Sequence, residues 1–158
     1  MLENITSKIL SNQSIDELLN DWRKNNQKIV FTNGCFDILH RGHVEYLAKA
    51  ANLGDKLFIG LNTDSSIKKI KGPGRPIQDE SSRAIIMASL EVVSAVMLFS
   101  EETPYELIKK VQPDVLVKGA DYKPEDIVGF DIVSAKGGSV ETIEFVEGHS
   151  TTSIISKL

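Results

Sequence analysis

Short apolar runs alternate along this chain with stretches in which apolar residues recur at helical spacing. The runs are Ile29-Val30-Phe31, Lys56 to Leu61 (KLFIGL), Val92 to Phe99, Pro113 to Lys118 and Val140 to Phe145. They are mostly apolar and bounded by turn residues, the pattern of strands covered on both faces. After the first run, Val44, Leu47, Ala48 and Ala51 recur at the spacing of a helix that opens near His43. Asn62-Thr63-Asp64-Ser65 reads as a helix start, and Asp79 to Leu90 (DESSRAIIMASL) as a helix with Ile85, Ile86, Ala88, Ser89 and Leu90 inward or close to it. Thr103-Pro104-Tyr105-Glu106 opens another, with Pro at the first helical position and a capping-box Glu, running to about Val111. Pro124-Glu125 begins a short helix that Lys136-Gly137-Gly138 stops, and Ser150 caps a last one over Thr151 to Leu158. Strand and helix therefore alternate from Lys28 onward, which predicts an α/β domain with a parallel five-stranded sheet and helices on both faces, Rossmann-like once crossovers are right-handed. Residues 1–27 precede it as a helical arm, with a capping-box pattern at Ser14-Ile15-Asp16-Glu17 and Leu18, Leu19 and Trp22 on one face. Residues 28–158 read as one domain.

Composition narrows the picture. With 158 residues, 41% of them hydrophobic, the chain suffices for one sizeable core. The net charge of −4 argues against a nucleic-acid surface, so any anion site has to be local. Cys35 is the only cysteine, and the start MLENITSKIL has neither a signal-peptide pattern nor a spanning length. A cytoplasmic protein with no membrane partner is expected.

The chemistry gathers in the stretch KIVFTNGCFDILHRGHVEYLAKAA, Lys28 to Ala51. A strand followed by the polar turn Thr32-Asn33-Gly34 and a helix start leaves backbone N–H groups unpaired at the positive end of a helix dipole, where phosphate binds. His40 and His43 flank Gly42 there, and they are two of only three histidines. A structural histidine pair, or two metal ligands lacking a third, is the competing explanation. Ile67 to Pro76 holds Lys68, Lys69, Lys71 and Arg75 between Pro-Gly breaks and reads as a mobile basic loop, either solvated or a lid that neutralises polyphosphate. Gly119-Ala120-Asp121-Tyr122 turns at a strand's carboxyl end, where functional groups collect. No Walker or dinucleotide glycine motif occurs.

Thr-Asn-Gly-Cys-Phe-Asp-Ile-Leu-His-Arg-Gly-His, from Thr32, resembles the T-x-G-x-F-D-x-x-H-x-G-H signature of the cytidylyltransferase-like nucleotidyltransferases, and Glu147 to Thr152 resembles their E-G-x-S-T-T element. The resemblance implies strand order 3-2-1-4-5 and a crevice between the first and fourth strands. It implies His40, His43, Lys71 and Arg83 as catalytic residues, with Arg83 on the leaving phosphates. It places the nucleotide against Thr32, Asn33, Gly34, Cys35, Phe36, His40, Gly42, His43, Lys118, Gly119, Asp121, Tyr122, Ser150, Thr151 and Thr152. Asp37, Asn62, Asp64 and Arg75 fall to the second substrate.

Val117 to Glu125, Gly137 to Val140 and Gly72 to Pro76 are similar to one branch, the adenylyltransferase domain that makes ADP-activated glycero-manno-heptose. That similarity runs from about Ile15 to the end. Cytidylyl relatives carry a basic residue in R-T-x-G-x-S-T-T, where this chain has Phe145-Val146-Glu147-Gly148. The branch implies transfer of AMP from ATP to D-glycero-D-manno-heptose 1-phosphate with release of pyrophosphate, for lipopolysaccharide core or other surface glycan synthesis. It further implies Mg²⁺ accompanying ATP with no protein-held metal, a homodimer using the arm around Trp22, and a separate heptose kinase. Cytidylyl transfer to glycerol 3-phosphate or another small phosphorylated acceptor, and a non-catalytic nucleotide sensor, stay as alternatives.

Overall fold

The computed structural model describes residues 1–158. Its elements are α1 (Leu2–Thr6), α2 (Ile15–Lys24), β1 (Ile29–Gly34), α3 (Arg41–Ala51), β2 (Lys56–Asn62), α4 (Asp64–Lys71) and α5 (Glu80–Ser89). They continue with β3 (Ala95–Phe99), α6 (Tyr105–Val111), β4 (Val115–Gly119), a 3-10 turn (Pro124–Asp126), α7 (Phe130–Ala135), β5 (Ser139–Ile143) and α8 (Thr151–Ile155). All strand pairs are parallel, in the order β3-β2-β1-β4-β5, so the expected Rossmann-like sheet is present. Alternate residues of β1 feed two cores: Phe31 packs with Phe58, Ile15, Leu19 and Trp22 on one face, while Val30 packs with Leu47, Ile59 and Met87 on the other.

Register opens the crevice. β1 pairs with β2 from Ile29↔Lys56 through Gly34↔Leu61, but with β4 only at Val30↔Val115 and Phe31↔Leu116. Beyond Phe31 the two central strands part at their carboxyl ends, at the point where strand order reverses.

Several expectations are corrected. β1 extends through Thr32-Asn33-Gly34, read above as turn, because these residues continue the ladder to β2. The lysines of the supposed basic loop lie on the last turn of α4, whose N-cap Thr63 accepts the Ser66 N–H and whose Ile67 is buried in the core. Only Gly72 onward is loop. Ser14 does not form its capping box: its hydroxyl pairs with Ser11 instead. Pro104 is the N-cap of α6 rather than its first residue, and the segment after Pro124 breaks at Gly129, φ 94°, into a 3-10 turn and α7. The inward face of α3 is Gly42, Tyr46, Leu47 and Ala50, with Val44 46% exposed. Likewise α5 buries Arg83, Ala84, Met87 and Ala88, and Ile85 faces solvent.

The arm belongs to the domain. Leu10 N–H donates to Val96 O and Val96 N–H to Lys8 O, strapping residues 8–10 along the outer edge of β3. Trp22 is 5% exposed and sits in its own chain's core. Its ring is therefore not part of the arm's outer surface.

Candidate active site

The chain leaves β1 at Gly34 and turns through Phe36, whose φ of 45° lies in the left-handed region. A Cβ on Gly34 would come within 2.9 Å of the Phe36 ring, so glycine is what lets that ring fold back under the turn. Phe36 meets His43 edge-on at 5.2 Å between centroids. His40 is the N-cap of α3 but makes no side-chain cap bond, which leaves the first N–H groups of the helix open at its positive end. The His40 and His43 rings stack at 3.8 Å, and the Nδ1 atom of each is buried without a partner. Gly42 makes this possible: a Cβ there would lie 2.9 Å from His40 Cε1 and 3.3 Å from His149 Cβ. Burial, then the positive charge of His40 and Lys71, pushes the His43 imidazole down to about 4. Burial, then His149, lowers His40 as well. At neutral pH His43 is therefore a neutral imidazole with one N–H to donate.

Two cavities meet at this turn. The smaller, about 270 Å³, runs from His43 and Thr151 past Gly119 and Asp121 to the Tyr46 and Phe145 rings. The larger, about 450 Å³, lies toward α4, the β3–α6 loop and the 3-10 turn, with Asn62, Glu102, Thr103 and Asp126 among apolar side chains such as Phe99 and Ile127. Asn33, Gly34, Cys35, Lys71, Lys118 and Tyr122 line both. Lys71 and Lys118 thus stand at the common wall. Burial lowers the Lys118 ammonium, interactions with Cys35 and Asp121 oppose that shift, and its Nζ lies 5.7 Å from the Tyr122 ring centroid.

Phe145, 58% exposed, stacks on Tyr46 at 5.7 Å and covers Gly119, where a Cβ would come within 2.2 Å of its ring. Tyr46 is buried, shares a 2.9 Å hydrogen bond with Thr32 Oγ1, and has its phenol raised to about 12 by burial. These two aromatics were not singled out from the sequence as site residues. Their only signal is spacing, since Tyr46 follows His43 by three positions on one helix face. The third histidine, His149, was also left without a role.

Other expected site residues are engaged elsewhere. Arg83 is 0% exposed and lines neither cavity. Its Nε donates to Gln78 O, Nη1 to Cys35 O and Asn62 O, and Nη2 to Asp64 Oδ1, binding the phosphate turn to the end of β2 and the start of α4. Asp37 is equally committed: it accepts from Arg75 Nε at 3.0 Å and from the N–H groups of Ile77 and Gln78. Burial would raise the Asp37 carboxyl, but these donors hold it below its ordinary range. Asp37, Asp64 and Arg75 therefore brace the turn; of the set expected for the second substrate, Asn62 lines the larger cavity and Asp37 the smaller. Ser150 caps α8 by accepting the Ser153 N–H, Thr151 Oγ1 donates to Ile38 O, and Thr152 is exposed outside the cavities. A third cavity at the opposite end of the sheet, about 530 Å³, is lined by no hydrophobic residue, with Arg23 donating to Val111 O and Lys136 to Gln112 O.

The model of the cytidylyltransferase-like family matches residues 31–157. The chain belongs to that family. Among curated relatives, the bifunctional protein HldE of Wolinella succinogenes is 51% identical over 96% of the chain, and that of Nitratiruptor is 53% identical over 92%. The chain spans 31% of the length of each. A lipopolysaccharide core biosynthesis protein from Thermoplasma volcanium superposes with a TM-score of 0.61 at 28% identity, covering 78% of this chain and 99% of that one. A pantoate-beta-alanine ligase from Francisella tularensis, at 16% identity and TM-score 0.57, shares the fold. This chain is thus a nucleotidyltransferase domain, and no helix in it is long and apolar enough to cross a membrane.

Proposed function

We propose that this domain transfers AMP from ATP to D-glycero-D-manno-heptose 1-phosphate, forming ADP-heptose and pyrophosphate for lipopolysaccharide core or related surface glycan synthesis. The observation that carries the reading is the pair of cavities sharing a cationic wall. In this reading the smaller holds the nucleotide, its base against Tyr46 and Phe145 and its α-phosphate near His43. The larger holds the sugar phosphate, whose hydroxyls meet Asn62, Glu102, Thr103 and Asp126 while its C–H faces lie on apolar side chains.

An acceptor phosphate oxygen attacks the α-phosphorus at the common wall. The new P–O bond forms as the Pα–O–Pβ bond breaks, and pyrophosphate leaves with that electron pair. The nucleophile is already an anion, so no general base is required. Positioning and charge stabilisation carry the rate. Lys71 and Lys118 face the transferred phosphoryl from both sides of the wall, and His43 and the open end of α3 donate to charge that grows in the transition state. Magnesium would accompany the ATP phosphates and supply counter-charge there, beside Lys71 and Lys118. The acceptor's own phosphate has to come from a prior sugar-phosphorylating step. Similarity to the HldE relatives and to the lipopolysaccharide core biosynthesis protein of Thermoplasma volcanium supports the choice of acceptor.

Pyrophosphate release across a panel of nucleotides and acceptors tests this. ATP with heptose 1-phosphate is expected to exceed every other pairing by about tenfold or more in kcat/KM. Faster release from CTP with glycerol 3-phosphate would replace the reading by its cytidylyl alternative.

A further inference from the structure

The larger cavity has two lips. One is the β3–α6 loop, with Glu102, Thr103 and Pro104; the other runs from the 3-10 turn toward α7, with Asp126, Ile127 and Val128. Below the rim the two are joined by packing. Ile127 and Ile108 share one core, and a Cβ on Gly129 would come within 2.8 Å of Ile108 Cδ1, so glycine lets this segment close directly onto α6. At the rim a single polar contact joins them: Tyr105, the first residue of α6 and the neighbour of Pro104, donates its phenol O–H to Asp131 Oδ2 on the first turn of α7, at 2.7 Å. Bonding to Asp131 raises the phenol above its ordinary range, so the proton stays on Tyr105 at neutral pH. The far ends of the same two helices are pinned by Lys136 Nζ donating to Gln112 O at 2.6 Å, beside the cavity at the opposite end of the sheet. No other hydrogen bond or ion pair links residues 100–112 to residues 120–136.

We infer that the Tyr105–Asp131 hydrogen bond is a latch that sets the width of the larger cavity, and through it the size of sugar phosphate the domain accepts. The inference rests on the reading of that cavity as the acceptor's. Neither residue lines the cavity, so both act by positioning the lips that do. Apolar packing under the rim is non-directional and leaves the lips free to rock, whereas a hydrogen bond fixes distance and angle together. Without the latch the lips part. Contacts to Glu102 and Thr103 on one lip and to Asp126 on the other are then no longer met at once by one sugar, and an acceptor of another size loses less. The smaller cavity takes no residue from either lip, so nucleotide binding stays as it was.

Steady-state kinetics of the wild-type chain, Tyr105→Phe, Asp131→Ala and Asp131→Asn, with heptose 1-phosphate and with a hexose 1-phosphate as acceptor, test the latch. Tyr105→Phe and Asp131→Ala are each expected to raise the KM of heptose 1-phosphate about fivefold and to narrow its kcat/KM advantage over the hexose by about the same factor, with the KM of ATP within about twofold. Asp131→Asn, which keeps an oxygen to accept the phenol proton, is expected to stay near wild type, and the double variant Tyr105→Phe/Asp131→Ala to cost no more than either single one. A bond that merely stabilises the fold would lower the unfolding midpoint and leave acceptor KM and selectivity intact. That result, or an ATP KM that rises in step with the acceptor's, overturns the latch while the nucleotidyltransferase reading stands. A wild-type chain that turns over neither sugar 1-phosphate overturns the acceptor reading and the latch with it.

Discussion

Arg83 shows how a charged side chain can be wholly enclosed where the resemblance implies a phosphate contact. It carries a full charge at zero exposure, satisfied by three carbonyls and Asp64. Removing it strands those acceptors, and loss of one partner of a buried charge pair is costly where hydrophobic replacement of the whole network is not. Arg83→Met is therefore expected to lose about 3 kcal/mol in urea unfolding, and to lower activity through distortion of the turn. A variant of wild-type stability whose kcat collapses would instead restore the phosphate-contacting role. His43 makes a second prediction at this scale. Its imidazole is held near 4 in the fold, against 6.5 for the group in an open chain. Between those values the unfolded chain binds more protons than the native one, so the stability His43 contributes is complete above pH 6.5 and is lost as pH falls toward 4. Polyphosphate reverses the bias by favouring imidazolium. ATP binding at pH 6 is then expected to take up protons, seen as a buffer-dependent binding enthalpy in calorimetry and reduced in His43→Asn. A binding enthalpy indifferent to buffer would contradict it.

Elements were legible where apolar runs made them so. Strands β1 to β4 and the cap at Ser150 follow from local pattern, because a strand buried on both faces has to be apolar; β5, at the sheet edge with three of its five residues exposed, is not covered on both faces as expected. The corrections arise where an element is decided by distant partners. Lys68, Lys69 and Lys71 looked like a loop because like charges and Pro-Gly breaks dominate the stretch, yet Thr63 caps a helix there and Ile67 anchors it. The loop that does follow is tied down: Asp37, far away in sequence, accepts from Arg75, Ile77 and Gln78. The Ile77 and Gln78 amides are accordingly expected to be protected from hydrogen exchange without any ligand, and Asp37→Asn to weaken that protection. Fast exchange of both amides in the free wild-type protein would return the segment to the role of a lid. The histidine turn was legible because one contiguous stretch builds it. Tyr46, Phe145 and His149 were not, since only the fold brings the second signature over α3.

At the scale of the whole molecule, function comes from where the sheet comes apart. β1 and β4 share two register pairs and then separate, and the space between their carboxyl ends becomes two cavities with one wall in common. The arm does not act at that wall. It closes the core behind β1 and straps the edge of β3, holding the strands that define the split. In the proposed reading, two chambers on one wall have a stereochemical consequence: acceptor and leaving group would lie on opposite sides of the α-phosphorus, making the transfer a single displacement with no covalent enzyme intermediate. Turnover of ATP made chiral at the α-phosphorus by sulfur substitution, with the configuration of the nucleotide-sugar product read by phosphorus NMR, tests this most directly. The two-cavity account predicts inversion; retention would mean two successive displacements through an enzyme-bound nucleotidyl group and would contradict it.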